Sequence, residues 1–219
     1  MLFLLGSVGI LSQSVRAELY VGAQVGGNFP SDFSDVNGVG ARSGVTLSDL
    51  DLDNSVVFGG KVGYFFPSIP WLGIESEVYT ATPDLPSQTA TASASVTVFG
   101  TTITGSGSIT LPSADVRVTT WANLIQVRYP GSAIQPYAGV GLGVFFADID
   151  GTGFSDSDTA PGLVVNTGLR WYVTKRIAVF GEYKYNFVSL EFDDPTVSVE
   201  GDYSAHNVVG GISFHFPGL

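Results

Sequence analysis

The chain has 219 residues, no cysteine, 44% hydrophobic and only 13% charged residues, and a formal net charge of −11. Disulfides and thiolate metal sites are thereby excluded, and so acidic a protein is a poor match for nucleic acid. Mean hydropathy is positive, +0.29, yet no run reaches the roughly eighteen apolar residues that a spanning helix needs; the other spanning solution is a closed β-barrel.

Residues 1–17, MLFLLGSVGILSQSVRA, have an apolar centre and a small-residue cleavage pattern at Val15-Arg16-Ala17. They read as a signal peptide, leaving residues 18–219 as one barrel domain. Removing them deletes Arg16 and no acid, so the net charge becomes 8 minus 20, or −12.

Eight strands follow, recognised by a period of two. The first, 19–26, sets Leu19, Val21, Ala23 and Val25 against Tyr20, Gly22, Gln24 and Gly26. The second, 56–66, opposes Phe58, Val62, Tyr64 and Phe66 to Gly59, Lys61 and Gly63. After the turn PSIP, the third, 71–79, opposes Leu72, Ile74 and Val78 to Gly73, Glu75 and Glu77. The fourth, 116–129, has Trp121, Ile125, Val127 and Tyr129 on its apolar side and Gln126 and Arg128 on the other. Asn123 and Leu124 break that alternation in opposite senses, and a bulge near Ala122 would restore it. After PGSA, the fifth, 134–146, alternates Ala138, Val140, Leu142, Val144 and Phe146 with Tyr137, Gly139, Gly141 and Gly143. The sixth and seventh lie in 163–187, LVVNTGLRWYVTKRIAVFGEYKYNF, joined by a turn of Thr174, Lys175 and Arg176; Leu163, Val165, Thr167, Leu169 and Trp171 oppose Asn166, Gly168 and Arg170, and Ile177, Val179, Tyr183, Tyr185 and Phe187 oppose Glu182, Lys184 and Asn186. The eighth, 205–216, opposes Val208, Ile212, Phe214 and Phe216 to Asn207, Gly211, Ser213 and His215.

Connections alternate between short ones and long ones, the latter at 28–54, 80–115, 148–159 and 190–204. Tight turns at one rim and long loops at the other are the pattern of an all-β, eight-stranded antiparallel up-and-down transmembrane β-barrel. Sixteen of the twenty acids fall in the long connections. The other four, Glu18, Glu75, Glu77 and Glu182, share a face with Lys61, Arg128, Arg170, Lys184 and ten strand glycines (22, 26, 59, 63, 73, 139, 141, 143, 168 and 211). A water-facing surface would be about a quarter to a third charged, so this glycine-rich face belongs inside a narrow cylinder where missing side chains make room for long ones. The apolar face then meets lipid. Its aromatics band as Phe66, Trp71, Tyr129, Trp171, Phe214 and Phe216 near the short turns, and Phe58, Tyr79, Phe146 and Phe187 near the long loops, as interfacial belts do.

With these strands placed, LYVGAQVG at Leu19, PYAGVGLGV at Pro136, FGEYKY at Phe180 and NVVGGISFHF at Asn207 make the chain resemble the small outer-membrane β-barrel family typified by the membrane domain of outer membrane protein A. The resemblance implies residence in a bacterial outer membrane as a monomer among membrane lipids and lipopolysaccharide. It also implies a structural or surface-interaction role, with an extracellular or host surface ligand met through the long loops.

Within that frame Lys61, Glu75, Glu77, Arg128, Arg170, Glu182 and Lys184 are expected to form a lumen ionic network by cross-strand pairing, with Glu75 and Glu77 between the strands of Lys61 and Arg128 and with Arg170 beside Glu182 and Lys184, because unpaired charge in a narrow interior is costly. A narrow passive pore lined by the same residues is the alternative. A lipid A acyl hydrolase using Ser204, His206 and Glu191 is a further one, since a serine, a histidine and an acid are the minimum for acyl transfer; the order Ser204-x-His206 reverses that of barrel deacylases, and no catalytic residue is assigned. The segment from Asp148 to Asp158 has the oxygen-rich opening of a calcium loop, but Thr159 stands where a bidentate carboxylate is needed. Together with the acidic row Asp49, Asp51 and Asp53 it reads as solvated loop, and neither metal nor cofactor is assigned. The connection containing QTATASASVTVFGTTITGSGSITLPSAD alternates around a Gly-Ser-Gly turn, as a hairpin above the membrane or as a further strand pair.

Overall fold

A computed structural model describes residues 18–31, 33–38, 45–98, 101–193 and 198–217; the predicted signal segment, 1–17, lies outside them. The elements in chain order are β1 (Glu18–Pro30), β2 (Ser34–Gly38), β3 (Val45–Leu47), β4 (Ser55–Phe66), β5 (Ile69–Ala81), β6 (Gln88–Val98), β7 (Thr101–Leu111), β8 (Ala114–Arg128), β9 (Ile134–Gly151), β10 (Phe154–Tyr172), β11 (Ile177–Asp193) and β12 (Ser198–Pro217). Eight of them run β1-β4-β5-β8-β9-β10-β11-β12, and β1 pairs again with β12, so the sheet closes on itself. Every neighbouring pair in the barrel wall is antiparallel.

Closure leaves no strand edge in the wall, so its backbone donors and acceptors are met by neighbours without water. The outward row is apolar: Val25, Phe58, Ile125, Val140, Leu142, Leu169 and Ile212 are all more than half exposed. The glycines obey the face assigned to them. A Cβ would come within 3.0 Å of another atom at Gly26, Gly59, Gly63, Gly73, Gly139, Gly141, Gly168 and Gly211, whereas at the outward Gly181 it would meet nothing within 4 Å. Gly63 makes room for the Tyr20 ring, and Gly139 for the amides of Gln126 and Asn166.

Four sequence expectations change. No bulge occurs near Ala122: β8 pairs with β5 and β9 in unbroken register, so Asn123 faces outward and Leu124 inward. The register shift lies instead between Phe65 and Phe66, and only Pro67 and Ser68 form the turn there. Tyr79 belongs to no outer belt; it is buried in the lumen on the row of Glu75 and Glu77. The connection after β9 is not a long loop, since β9 and β10 continue beyond the apolar band and turn at Thr152 and Gly153, the latter with φ of 88°. Outward oily residues mark where lipid ends, not where a strand does.

The connection containing Gly105, Ser106 and Gly107 adds no strand to the wall. It forms the β6–β7 hairpin, but Val98 pairs with Thr101, so the chain reverses there and the Gly-Ser-Gly segment runs straight through β7 opposite Ala92, Ser93 and Ala94. Beyond the bilayer band β12 also pairs with β2, and β2-β3-β6-β7 continue outward as a side sheet hung from the barrel. Bridges between Phe33 and Leu50 and between Leu85 and Ala114 fold these connections over the mouth.

Candidate functional site

The interior is built in tiers, because inward side chains alternate with outward ones on every strand. At the short-turn end Glu18 from β1 accepts from Arg128 of β8 at 2.6 Å, contacts His215 Nδ1 of β12 at 2.5 Å and accepts from the Tyr172 hydroxyl of β10 at 2.5 Å. Arg128 also donates its Nε to the Pro70 carbonyl at 2.9 Å and lies 3.7 Å over the Phe65 ring. Sequence reasoning set Arg128 beside Glu75 and Glu77 on the next strand; the long guanidinium arm instead reaches across to Glu18.

One step farther in, Arg170 has no carboxylate partner among the described ion pairs. Its guanidinium sits 4.2 Å from the Tyr20 ring centroid, 5.1 Å from that of Tyr137 and 5.9 Å from that of Phe65. This corrects the expected pairing of Arg170 with Glu182. A weakly hydrated planar cation is at home on ring faces, and those rings come from β1, β9 and β4.

The middle tier holds the buried ions. Lys61 Nζ lies 2.9 Å from Glu182, 3.2 Å from Glu75 and 3.6 Å from Glu77. Lys184 Nζ contacts Glu77 and lies 2.6 Å from Glu182. Neutral donors add to these contacts: the Tyr137 hydroxyl and Asn166 amide on Glu182 at 2.7 and 3.3 Å, the Gln126 amide and Tyr20 hydroxyl on Glu75, and the Gln24 amide on Glu77 Oε2 at 3.3 Å, while Glu77 Oε1 is buried without a hydrogen-bond partner among the described residues. Tyr20 thus donates to Glu75 while its ring carries Arg170, relaying that cation toward the acids. Tyr20, Tyr137, Gln126 and Asn166 were placed inward by parity, but nothing in their spacing marked them as donors; their partners lie on strands other than their own.

Above this tier an apolar cluster joins the buried polar pairs Asn28–Asn207 and Tyr79–Asn186. Val118, Leu124, Phe145, Val164, Val188, Leu190 and Tyr203 from the wall form one buried cluster with Phe33, Val36, Leu50 and Leu85 from the connections. The seam between polar and apolar tiers is where the alternation in β8 failed, since there an inward leucine has apolar company.

The remaining sequence candidates do not converge. His206 pairs in register with Tyr185, and Glu191 with Glu200 six residues along β11, about 20 Å away. The described hydrogen bond of His206 Nδ1 runs to the Tyr183 hydroxyl at 2.6 Å, and Ser189 donates to Asp202 at 2.6 Å. Asp148 and Asp150 stand on a regular hairpin opposite Ser157 and Ser155, and no group of three or more acids or histidines among the described residues has the geometry to hold a metal ion.

A closed antiparallel barrel with an oily outer surface, aromatic girdles and a polar interior is a bilayer-spanning barrel. The family model described as outer membrane protein beta-barrel domain matches residues 1–216. The chain belongs to that family and is a bacterial outer-membrane protein. Among solved structures it is similar to Neisserial surface protein A, with 18% identity over 90% of this chain and 97% of that one and a TM-score of 0.59. OprG from Pseudomonas aeruginosa is similar at 18% identity, over 93% and 97% of the two chains, with a TM-score of 0.55. At such identity the likeness is one of fold. No curated protein sequence matches the chain.

Proposed function

We propose that this barrel is a closed outer-membrane scaffold whose work is surface interaction through its extracellular strands, and that it is neither a channel nor an enzyme. The supporting observation is that the interior is obstructed twice. Four cations, Lys61, Arg128, Arg170 and Lys184, share it with four acids, Glu18, Glu75, Glu77 and Glu182, and the apolar cluster lies directly above them. A water path would have to strip both tiers. The lumen network serves closure, and the side sheet carried by β12 is the contact surface. The test is single-channel recording in planar bilayers with the folded full chain. The expected record shows no unitary steps for the wild type, and none when Leu124, Phe145 and Val164 are replaced together by alanine, because the ionic tier beneath still fills the lumen. Regular steps from the wild type would reinstate the narrow pore.

A further inference from the structure

Among the described residues the side sheet ends on β7, the last strand in its order. Natural sheets protect such an edge with charge, proline or a bulge, because its open donors and acceptors template another strand. Here residues 88–111 contain no Asp, Glu, Lys, Arg or Pro, and β7 pairs with β6 in unbroken register over eleven residues. Residues 104–110 are all exposed. A Cβ added at Gly105 or Gly107 would meet nothing within 4 Å, so the sheet face they share is uncrowded on either side of Ser106.

The sequence of β7, TTITGSGSITL, reads nearly the same in both directions about Ser106. Gly105 mirrors Gly107, Thr104 mirrors Ser108, Ile103 mirrors Ile109 and Thr102 mirrors Thr110. A hairpin turning at Ser106 would use that symmetry within the chain. The chain turns elsewhere, between Val98 and Thr101, so intramolecular pairing leaves the symmetry unused. In an antiparallel pair of identical strands related by a two-fold axis each residue meets the one equally far beyond the axis, so a near-palindromic strand sets like residues opposite one another.

We propose that the open edge of β7 is a homotypic docking strand, pairing antiparallel with β7 of a second copy about a two-fold axis at Ser106. Register then sets Ile103 opposite Ile109, Thr102 opposite Thr110 and Gly105 opposite Gly107, and like pairs of β-branched and hydroxyl residues are favourable cross-strand neighbours. The uncharged hairpin also lets two copies of a protein with net charge −11 approach without direct repulsion. The barrel expected to be a monomer in the membrane becomes a paired one through its outer sheet. This gives the surface argued above its partner, and it rests on that surface being displayed outside the cell.

The test uses the full chain in cells. Ser106→Cys introduces a single thiol into a chain that has none of its own. A membrane-impermeant maleimide reports display, and a short bismaleimide reports pairing. The expected result is labelling together with a covalent dimer. Thr110→Cys should label equally but not cross-link, because the two copies of that position stand about 26 Å apart along the strands. Adding Ile109→Lys to Ser106→Cys should lower the cross-linked fraction about tenfold, with labelling and the heat-modifiable gel mobility of the barrel unchanged. A Ser106→Cys variant that labels but does not cross-link, or equal cross-linking from both positions, overturns the pairing and leaves the display intact. No labelling at either position overturns both.

Discussion

Lys184 is wholly buried, with Glu77 and Glu182 as its contacts. Lys184→Met keeps most of the stem and removes the charge, leaving three carboxylates, Glu75, Glu77 and Glu182, to share Lys61. Breaking a buried pair from one side costs about 3–5 kcal/mol, and we expect a loss of that order in denaturant unfolding of the folded barrel. Arg170→Lys keeps the charge but exchanges a stacked plane for a compact, strongly hydrated head; about 1–2 kcal/mol is expected. A larger loss at Arg170 than at Lys184 would contradict the assignment of one to rings and the other to acids. Parity in the sequence told which side chains turn inward, because that needs only the strand itself. It could not tell whom they meet. Arg170 finds Tyr20 of β1, Arg128 finds Glu18 of β1, and Lys61 of β4 finds Glu182 of β11, all between strands not adjacent in the wall, where contact depends on the width of the closed cylinder.

Strand β8 shows where period-two reasoning fails and why. The alternation is clear while lipid lies outside and ions inside, and it blurs at Asn123 and Leu124, where the interior is apolar and the outer row carries Ser76, whose hydroxyl oxygen accepts from Trp121 Nε1 at 3.0 Å. The unbroken register makes Asn123 a polar residue on the lipid face, midway between Tyr129 at the turn rim and Arg117 beyond the apolar band. Asn123→Leu should therefore raise stability by about 0.5–1 kcal/mol, and Asn123→Arg should lower it by about 2–4 kcal/mol, as a midplane cation does. Refolding titrations in lipid would show both. If a bulge turned Asn123 inward, the leucine would be the damaging change. The hairpins above the membrane were legible only as alternating polar sequence. Their attachment to β12 through the short β2 and β3 was not, since three to five residues carry too little pattern to register.

Taken whole, the molecule keeps its charges in two compartments, a balanced set enclosed by the wall and an acidic excess in the segments beyond the bilayer, with Lys175 and Arg176 apart in the exposed β10–β11 turn. The enclosed set includes Glu18, at the start of β1, which holds His215 near the end of β12 and draws in Arg128 and Tyr172 from the far wall. That junction joins the first strand of the barrel to its last. It can therefore be made only when every intervening strand is already in register, and it is among the first contacts to part when the cylinder opens. Glu18→Gln is accordingly expected to leave the folding rate in lipid near its wild-type value and to hasten unfolding roughly thirtyfold, the share of about 2 kcal/mol that falls on the exit side of the barrier. A slowed folding limb in stopped-flow would mean instead that the ends meet early. The clasp at Glu18 thus acts as a latch on lifetime: it sets how long a finished barrel stays shut, and has no say in how soon one is made.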